Sequence, residues 1–443
     1  MQFPEQGASR TELTSRLREA MSRDADWRGG KIFSLVYFAG DDVAEVLKEA
    51  YTAAFYSNGL GPGAFKSLKK FESEAIAMTA DLLQHPDAAG NMTSGGTESI
   101  LMAVKTARDW GRAERGVTQP RIVVPVTAHP AFDKAAHYLD VEIVRTPLRE
   151  DLRADVEAMR EAINDNTVLI AGSAPCYPFG VIDSIPEIAA LAAERGICCH
   201  VDACLGAYLL PFVERLGRQV PPWDFRVDGV TSISADLHKY GYSARGASVI
   251  LYRDRELRRH QFFATSDWPG GLYGSPTLAG SRPGGAIAAA WAVLNYLGVE
   301  GYTRLARIVM DATSALIDGI NAVPELRVLG DPDMSVFAFT SDSLDIHSIA
   351  GALDEAGWHP DRQQLPPSLH CMITPAHKET VKPFLADLDK AVERARTQAP
   401  AEGGRAAVYG MLDKLPDRGA VREVVLDSMD RLTQVKRDAP SRD

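Results

Sequence analysis

The chain of 443 residues has no uninterrupted apolar stretch of about 18 residues, so it predicts no transmembrane helix. Its opening, "MQFPEQGASRTELTSR", lacks the apolar run of a secretory leader or an anchor. Positive charge is in short supply: 48 Lys and Arg stand against 59 Asp and Glu, a net −11. That balance argues against nucleic acid as the main partner and leaves room for small anions at local sites. Cysteine is scarce and odd in number, with Cys176, Cys198, Cys199, Cys204 and Cys371. An odd set in a large chain without a leader predicts reduced thiols in the cytoplasm rather than a disulfide framework. No Gly-Lys-Ser/Thr loop and no internal repeat occur, which removes a P-loop nucleotide site and a solenoid.

What the chain does have is core-forming material: 45% of it is hydrophobic, enough for two domains. Residues 1–60 read as mostly helical, with Leu13, Leu17 and Met21 on one face and a further helix over 42–56. From 60 to 295, helical patterns alternate with strand candidates at 121–126, 141–145, 167–172, 197–202, 229–234 and 247–252. Alternation of that kind predicts an α/β fold with a mostly parallel, doubly wound sheet. The helix over 185–195 carries Pro186 at its start and Gly196 just past its end. A long helix over 285–297 and 302–320 leads into strands "LRVLG", "MSVFAFT" and "LHCMIT" with helices over 345–357 and 377–397, a small α+β unit. The expected divisions are a helical segment (1–60), a large domain (61–295), a small C-terminal domain (296–410) and a C-terminal helix or tail (411–443), with a loop over 399–410 and a frayed end.

The chemistry concentrates in "SADLHKYGYSARG", Ser234 to Gly246. Lys239 lies in a short connection between two candidate core strands, where reactive groups collect in α/β folds. Partial desolvation there is expected to lower its pKa and free an amine for Schiff-base chemistry. Such chemistry with pyridoxal phosphate (PLP) needs a phosphate cradle, a carboxylate facing the pyridine nitrogen and a group flat against the ring. "TSGGTESILMA" offers the cradle: Ser94, Gly95, Gly96 and Thr97 run straight into a helix, though Thr97 as a plain N-cap is the alternative. Asp202 ends the apolar "ICCHVD", where an unpaired acid is costly, and it either faces the pyridine nitrogen or caps the following helix. His129, after another strand, either stacks on the ring or simply occupies a turn before Pro130. "GSRPGG" is a second Gly-rich turn, in which Ser281 could reach a partner's cofactor. The "CCHVDAC" cluster invites a metal reading, but strand geometry sends Cys198 and Cys199 to opposite faces, so no metal is expected.

"TSGGTESILMA", "HVDACLGAYL", "SISADLHKYGY" and "AGSRPGG" together resemble the PLP-dependent sphingosine-1-phosphate lyases of the group II decarboxylase superfamily. The likeness runs from about Tyr37 to Tyr409. It implies a type I aminotransferase-like fold and an obligate homodimer with active sites between subunits. It further implies Lys239 as the Schiff-base lysine, Asp202 facing the pyridine nitrogen and His129 stacked on the ring. Gly96 and Thr97 would cradle the phosphate beside Gly95 and His238, with Ser281 reaching over from the other subunit. Cys204, Tyr177 and Tyr409 match positions lining the family's site, and Tyr37, Asn58 and Arg245 match its substrate-binding positions. Two departures stand out: Gly61 occupies the place of the family's phosphate-binding histidine, and Arg245 that of a lysine. The implied reaction is retro-aldol cleavage of an amino alcohol, with Lys239, Tyr177 or Tyr409 as base. An amino-acid decarboxylase, an aminotransferase and a silent cofactor-binding paralogue are the rivals.

Overall fold

A computed structural model describes residues 3–397 and 418–434. Its centre is a seven-stranded sheet built from β1 (Ala89–Thr93), β2 (Arg121–Pro125), β3 (Glu142–Thr146), β4 (Thr167–Ser173), β5 (Cys198–Asp202), β6 (Ser232–Ala235) and β7 (Ser248–Tyr252), in the order β1-β7-β6-β5-β4-β2-β3. Strands β3, β2, β4, β5 and β6 run parallel, and β7 is antiparallel to both its neighbours. Helices cover both faces, which is why "TVLIAGS" and "CCHVD" are buried at every position instead of alternating. Cys198 packs on one face with Ile100 and Phe132, and Cys199 on the other with Ile188 and Val201. The strand's two-residue period thus separates the thiols, as the sequence predicts.

The helix Ile185–Arg195 begins with Pro at its first turn and ends on Gly196 in the left-handed region (φ 60°). Its Ile188 and Leu191 are fully buried against the sheet, each contributing roughly 1.5–3 kcal/mol. β1 is absent from the sequence reading: "AGNMT" has little strand propensity and is held by its pairing with β7, Ala89 opposite Tyr252. A hairpin of β8 (Phe263–Thr265) and β9 (Tyr273–Ser275) follows, also unforeseen.

The helix Gly284–Asn321 then runs into a second, fully antiparallel sheet of β10 (Leu326–Val328), β11 (Val336–Ser341), β12 (Asp361–Gln364) and β13 (Pro367–Met372), ordered β10-β11-β13-β12. Gly298 interrupts that helix with φ 53° and ψ −171°. The expected division at 295/296 falls inside it. Ile287, Leu297, Leu305 and Met310 pack into the large core, whereas Ala312, Leu316 and Ile320 pack into the core of the second sheet.

The N-terminal stretch departs from a mostly helical reading. Helices cover Arg10–Met21 and Asp41–Ala53, but the chain between them runs along the small sheet. There Met372 N donates to Phe33 O at 2.8 Å and His359 N to Lys31 O at 2.9 Å. The helix Arg10–Met21 buries no residue, and its Leu13, Leu17 and Met21 remain exposed. At the other end, Arg418–Thr433 forms a helix within the stretch expected to be a C-terminal helix or tail. Tyr409 and the loop over 399–410 lie outside the described residues.

Candidate active site

Because β1, β2, β4, β5 and β6 point the same way, their carboxyl ends share one edge of the sheet, the usual place for a ligand in such folds. β1 delivers Gly95 and Gly96, β2 His129, β4 Tyr177, β5 Asp202 and β6 the Asp236–Lys239 turn. Lys239 Nζ stands 3.1 Å from Asp236 Oδ2. Burial by itself depresses a lysine, but the Asp236 carboxylate, with Cys204 and Asp202 adding to it, outweighs burial and raises the Lys239 pKa. The expected lowering is therefore overturned: the acid three residues upstream holds the ammonium charged.

Asp202 is buried, which opposes ionisation. Interaction with His129, then the Lys239 ammonium and the Cys204 thiol, outweighs that and lowers its pKa, and Cys204 N donates to Oδ1 at 3.1 Å. Ser234 Oγ also donates to its Oδ1 at 3.2 Å. The carboxylate is thus kept anionic in the interior. Burial lowers the pKa of His129, and its Nδ1 accepts from Ala131 N at 3.1 Å, which fixes the neutral ring. His238 is held similarly: its Nδ1 accepts from Ala247 N at 3.2 Å, and Nε2 lies 3.6 Å from Asp236 Oδ2. Burial pushes the Cys204 thiol well up, and Sγ lies 3.4 Å from Ser234 Oγ.

The helix Gly96–Arg115 starts on Gly95 with no side-chain cap. Thr97 is exposed rather than capping, so the N-cap alternative is not realised. The buried Glu98 ties this turn down: Oε2 accepts from Ser94 N at 2.7 Å, and Oε1 accepts from Leu278 N at 3.0 Å.

Tyr177 Oη donates to Asp361 Oδ2 at 2.9 Å, and its ring stacks on His370 at 4.2 Å. Burial and the Asp361 charge raise the Tyr177 phenol. Tyr37 is edge-on to Tyr240 at 5.0 Å, its hydroxyl 2.7 Å from Met372 Sδ, and Arg245 lies over its ring at 5.4 Å. Tyr177, His129, Arg362 and Gln363 line a cavity of about 590 Å³.

Two predicted residues lie together elsewhere. Asn58 Nδ2 donates to Ser281 Oγ at 3.0 Å, and Asn58 Oδ1 accepts from Arg282 N at 3.1 Å. The cavity that Asn58 lines contains none of the residues around Lys239.

Asp236 and Asp361 are the functional candidates that sequence reasoning missed. Asp236 had a legible signal, sitting one turn before the lysine, whereas Asp361 lies in a polar strand of the small sheet with nothing local to mark it.

The model of the pyridoxal-dependent decarboxylase conserved domain matches residues 12–341. The chain belongs to the pyridoxal-dependent decarboxylase family. Within it, the chain is 45% identical to a sphingosine-1-phosphate lyase of Arabidopsis thaliana, over 95% of this chain and 79% of the relative. A sphingosine-1-phosphate lyase of Rattus norvegicus is 43% identical over 96% and 76%. The solved structure of a Burkholderia pseudomallei sphingosine-1-phosphate lyase superimposes with a TM-score of 0.91 at 38% identity, covering 98% of this chain and 97% of that one. The family member described here is a PLP-dependent carbon–carbon lyase of the type I fold, with PLP as its cofactor.

The residues present fit that cofactor. A Cβ on Gly96 would stand 2.6 Å from Cys204 Sγ and 2.8 Å from Asp236 Oδ2, so only glycine keeps that floor open. The uncapped helix start next to it presents amide donors to an anion. Asp236 Oδ1 is buried without a hydrogen-bond partner, and Asp202 is an ionised acid in the interior. Among the described residues, no group of three or more His, Cys, Asp or Glu is placed to hold a metal ion. No described helix is long and apolar enough to cross a membrane.

Proposed function

We propose that the chain cleaves the Cα–Cβ bond of a phosphorylated 2-amino alcohol of the sphingoid-base 1-phosphate kind, releasing an aldehyde and a phosphorylated amine. The observation that carries this reading is the likeness to sphingosine-1-phosphate lyases over nearly the whole chain. Lys239 would hold PLP covalently, and Asp202 would keep the pyridine nitrogen protonated. When bound, PLP takes up the electron pair released by bond cleavage. His129 would lie against the ring, neutral by burial. Gly95, Gly96 and Thr97 with His238 would surround the phosphate, and Cys204 would close the floor. Tyr177 would take the proton of the substrate hydroxyl, with Lys239 and Tyr409 as the other candidate bases, and Tyr37 and Arg245 would bind the substrate's anionic end.

We further read the protein as a homodimer that shares its active sites. Asn58 lines a cavity other than that of His129 and Tyr177, and a second subunit could bring it, with its hydrogen-bond partner Ser281, to the site. Exposed Phe55, Tyr56 and Leu278, close in sequence to that pair, supply apolar surface for the contact. Five free, buried cysteines suit the cytoplasm.

Amino-acid decarboxylation is the second reading. It is favoured by one observation: Gly61 brings no donor to the substrate phosphate, while the exposed Arg245 guanidinium suits a carboxylate. Incubation with a sphingoid base 1-phosphate and with a panel of amino acids separates the readings. Aldehyde release is expected. Carbon dioxide without aldehyde, or a lasting pyridoxamine absorbance, would replace the proposal with decarboxylation or amino transfer.

A further inference from the structure

Tyr177 sits on the loop after β4 and packs against the large core, yet the hydrogen bond and the ring stack that orient its side chain both come from the small sheet. Its hydroxyl donates to Asp361 Oδ2 at 2.9 Å, its ring stacks on His370 at 4.2 Å, and its carbonyl is bonded by His370 Nε2 at 2.9 Å. Asp361 and His370 are direct partners across β12 and β13. The other oxygen of Asp361 accepts from Ser34 Oγ at 3.1 Å, so the carboxylate is fixed at both ends. Tyr177 and His129 line the same cavity, so Tyr177 borders the space beside the histidine proposed to lie against the cofactor ring.

We propose that Asp361 is a positioning residue that turns Tyr177 into the proton acceptor for the substrate hydroxyl. The inference rests on the lyase reading above. Burial and the neighbouring carboxylate keep the phenol protonated, so Tyr177 can accept a proton only while giving one away. Asp361 is the group aligned to receive it. The substrate O–H bond breaks and its proton moves to Tyr177 Oη as the phenolic proton moves to Asp361 Oδ2. The freed O–H pair forms the aldehyde C=O as the Cα–Cβ bond breaks, and bound PLP would supply the sink for that bond's electron pair. Return of the proton by the same path to Cα completes the amine product and restores the Asp361 carboxylate. The groups facing this pair are His370 and Cys371 on Asp361, and Lys239 and Tyr37 on Tyr177.

Asp361→Asn tests the idea, because it keeps an oxygen to accept from Tyr177 while removing the charge. On the holoenzyme, kcat is expected to fall about 100-fold, with KM, cofactor absorbance and thermal midpoint within error of the parent. Tyr177→Phe should lose as much, and the double variant no more than either. Independently of turnover, the phenol of Tyr177, read as the ultraviolet titration lost in Tyr177→Phe, should ionise at lower pH once Asp361 is Asn. Turnover of Asp361→Asn within threefold of the parent would overturn the proposal, as would parallel losses of KM, cofactor and stability. If the unaltered enzyme releases no aldehyde while the phenol still shifts, the lyase reading falls and takes the proton path with it, leaving only the electrostatic coupling.

Discussion

Lys239 and Asp236, 3.1 Å apart, set the electrostatic character of the site. The pairing favours the charged ammonium over the free amine. On the proposed reading, replacing Lys239 with Ala removes the covalent anchor and, within the fold, the ion pair with Asp236. The variant is expected to lose the visible absorbance of bound PLP while keeping its circular dichroism, and borohydride reduction of the parent should mark the peptide carrying Lys239. A surviving visible band in the Ala variant would move the anchor elsewhere. At this scale the sequence was legible in placement: His129, Asp202 and Lys239 each stand where a buried strand stops. It was not legible for Asp361, whose partner Tyr177 lies far off in the chain and is met only once the small sheet has docked. It also misjudged the charge state of Lys239, because the desolvation argument ignored an acid one turn away.

Among the elements, the helix Gly96–Arg115 has a glycine at each end with different reasons for being there. At Gly96 a methyl group collides with Cys204 and Asp236, so Gly96→Ala fills the floor proposed for the phosphate. Gly116 closes the helix in the left-handed region (φ 67°) with open space around it. An alanine at 116 carries only a backbone cost, on the order of 1 kcal/mol. Expected results follow the split: Gly96→Ala weakens PLP binding at least tenfold in a cofactor titration and lowers the thermal midpoint through its clash with Cys204 and Asp236, whereas Gly116→Ala lowers the thermal midpoint slightly and leaves PLP affinity alone. Equal PLP affinity in the two variants would dismiss the cradle. Elements with long periodic or unbroken apolar patterns, such as the helix Ile185–Arg195 and strand β4, are specified locally and were read from the residues. β1, β12 and the β8–β9 hairpin are held mainly by what lies beside them, so their residues alone carry little signal.

The whole molecule bears buried histidines that resist protonation. Burial holds His200, His370 and His377 each at about 4, against about 6.5 when exposed. Between those values the unfolded chain binds protons that the folded one refuses, so stability is complete above about pH 6.5 and drains away as pH falls toward 4. Asp183 works in the opposite sense. Burial raises it to about 6, so the folded state gains on acidification between about 6 and 3.8. With three such groups against one, the thermal midpoint should drop steadily from pH 7 to pH 5; a flat or rising midpoint over that interval would contradict the burial assigned to these imidazoles.

The helix Gly284–Asn321 belongs to two interiors at once. Its first two-thirds complete the packing of the seven-stranded sheet and its last turns complete that of the four-stranded one. Neither half therefore owns a full set of neighbours, and a chain severed there would leave an oily seam on both fragments. Autonomy of the parts is denied by a single shared rod, and catalysis between them inherits its alignment from the same piece of backbone.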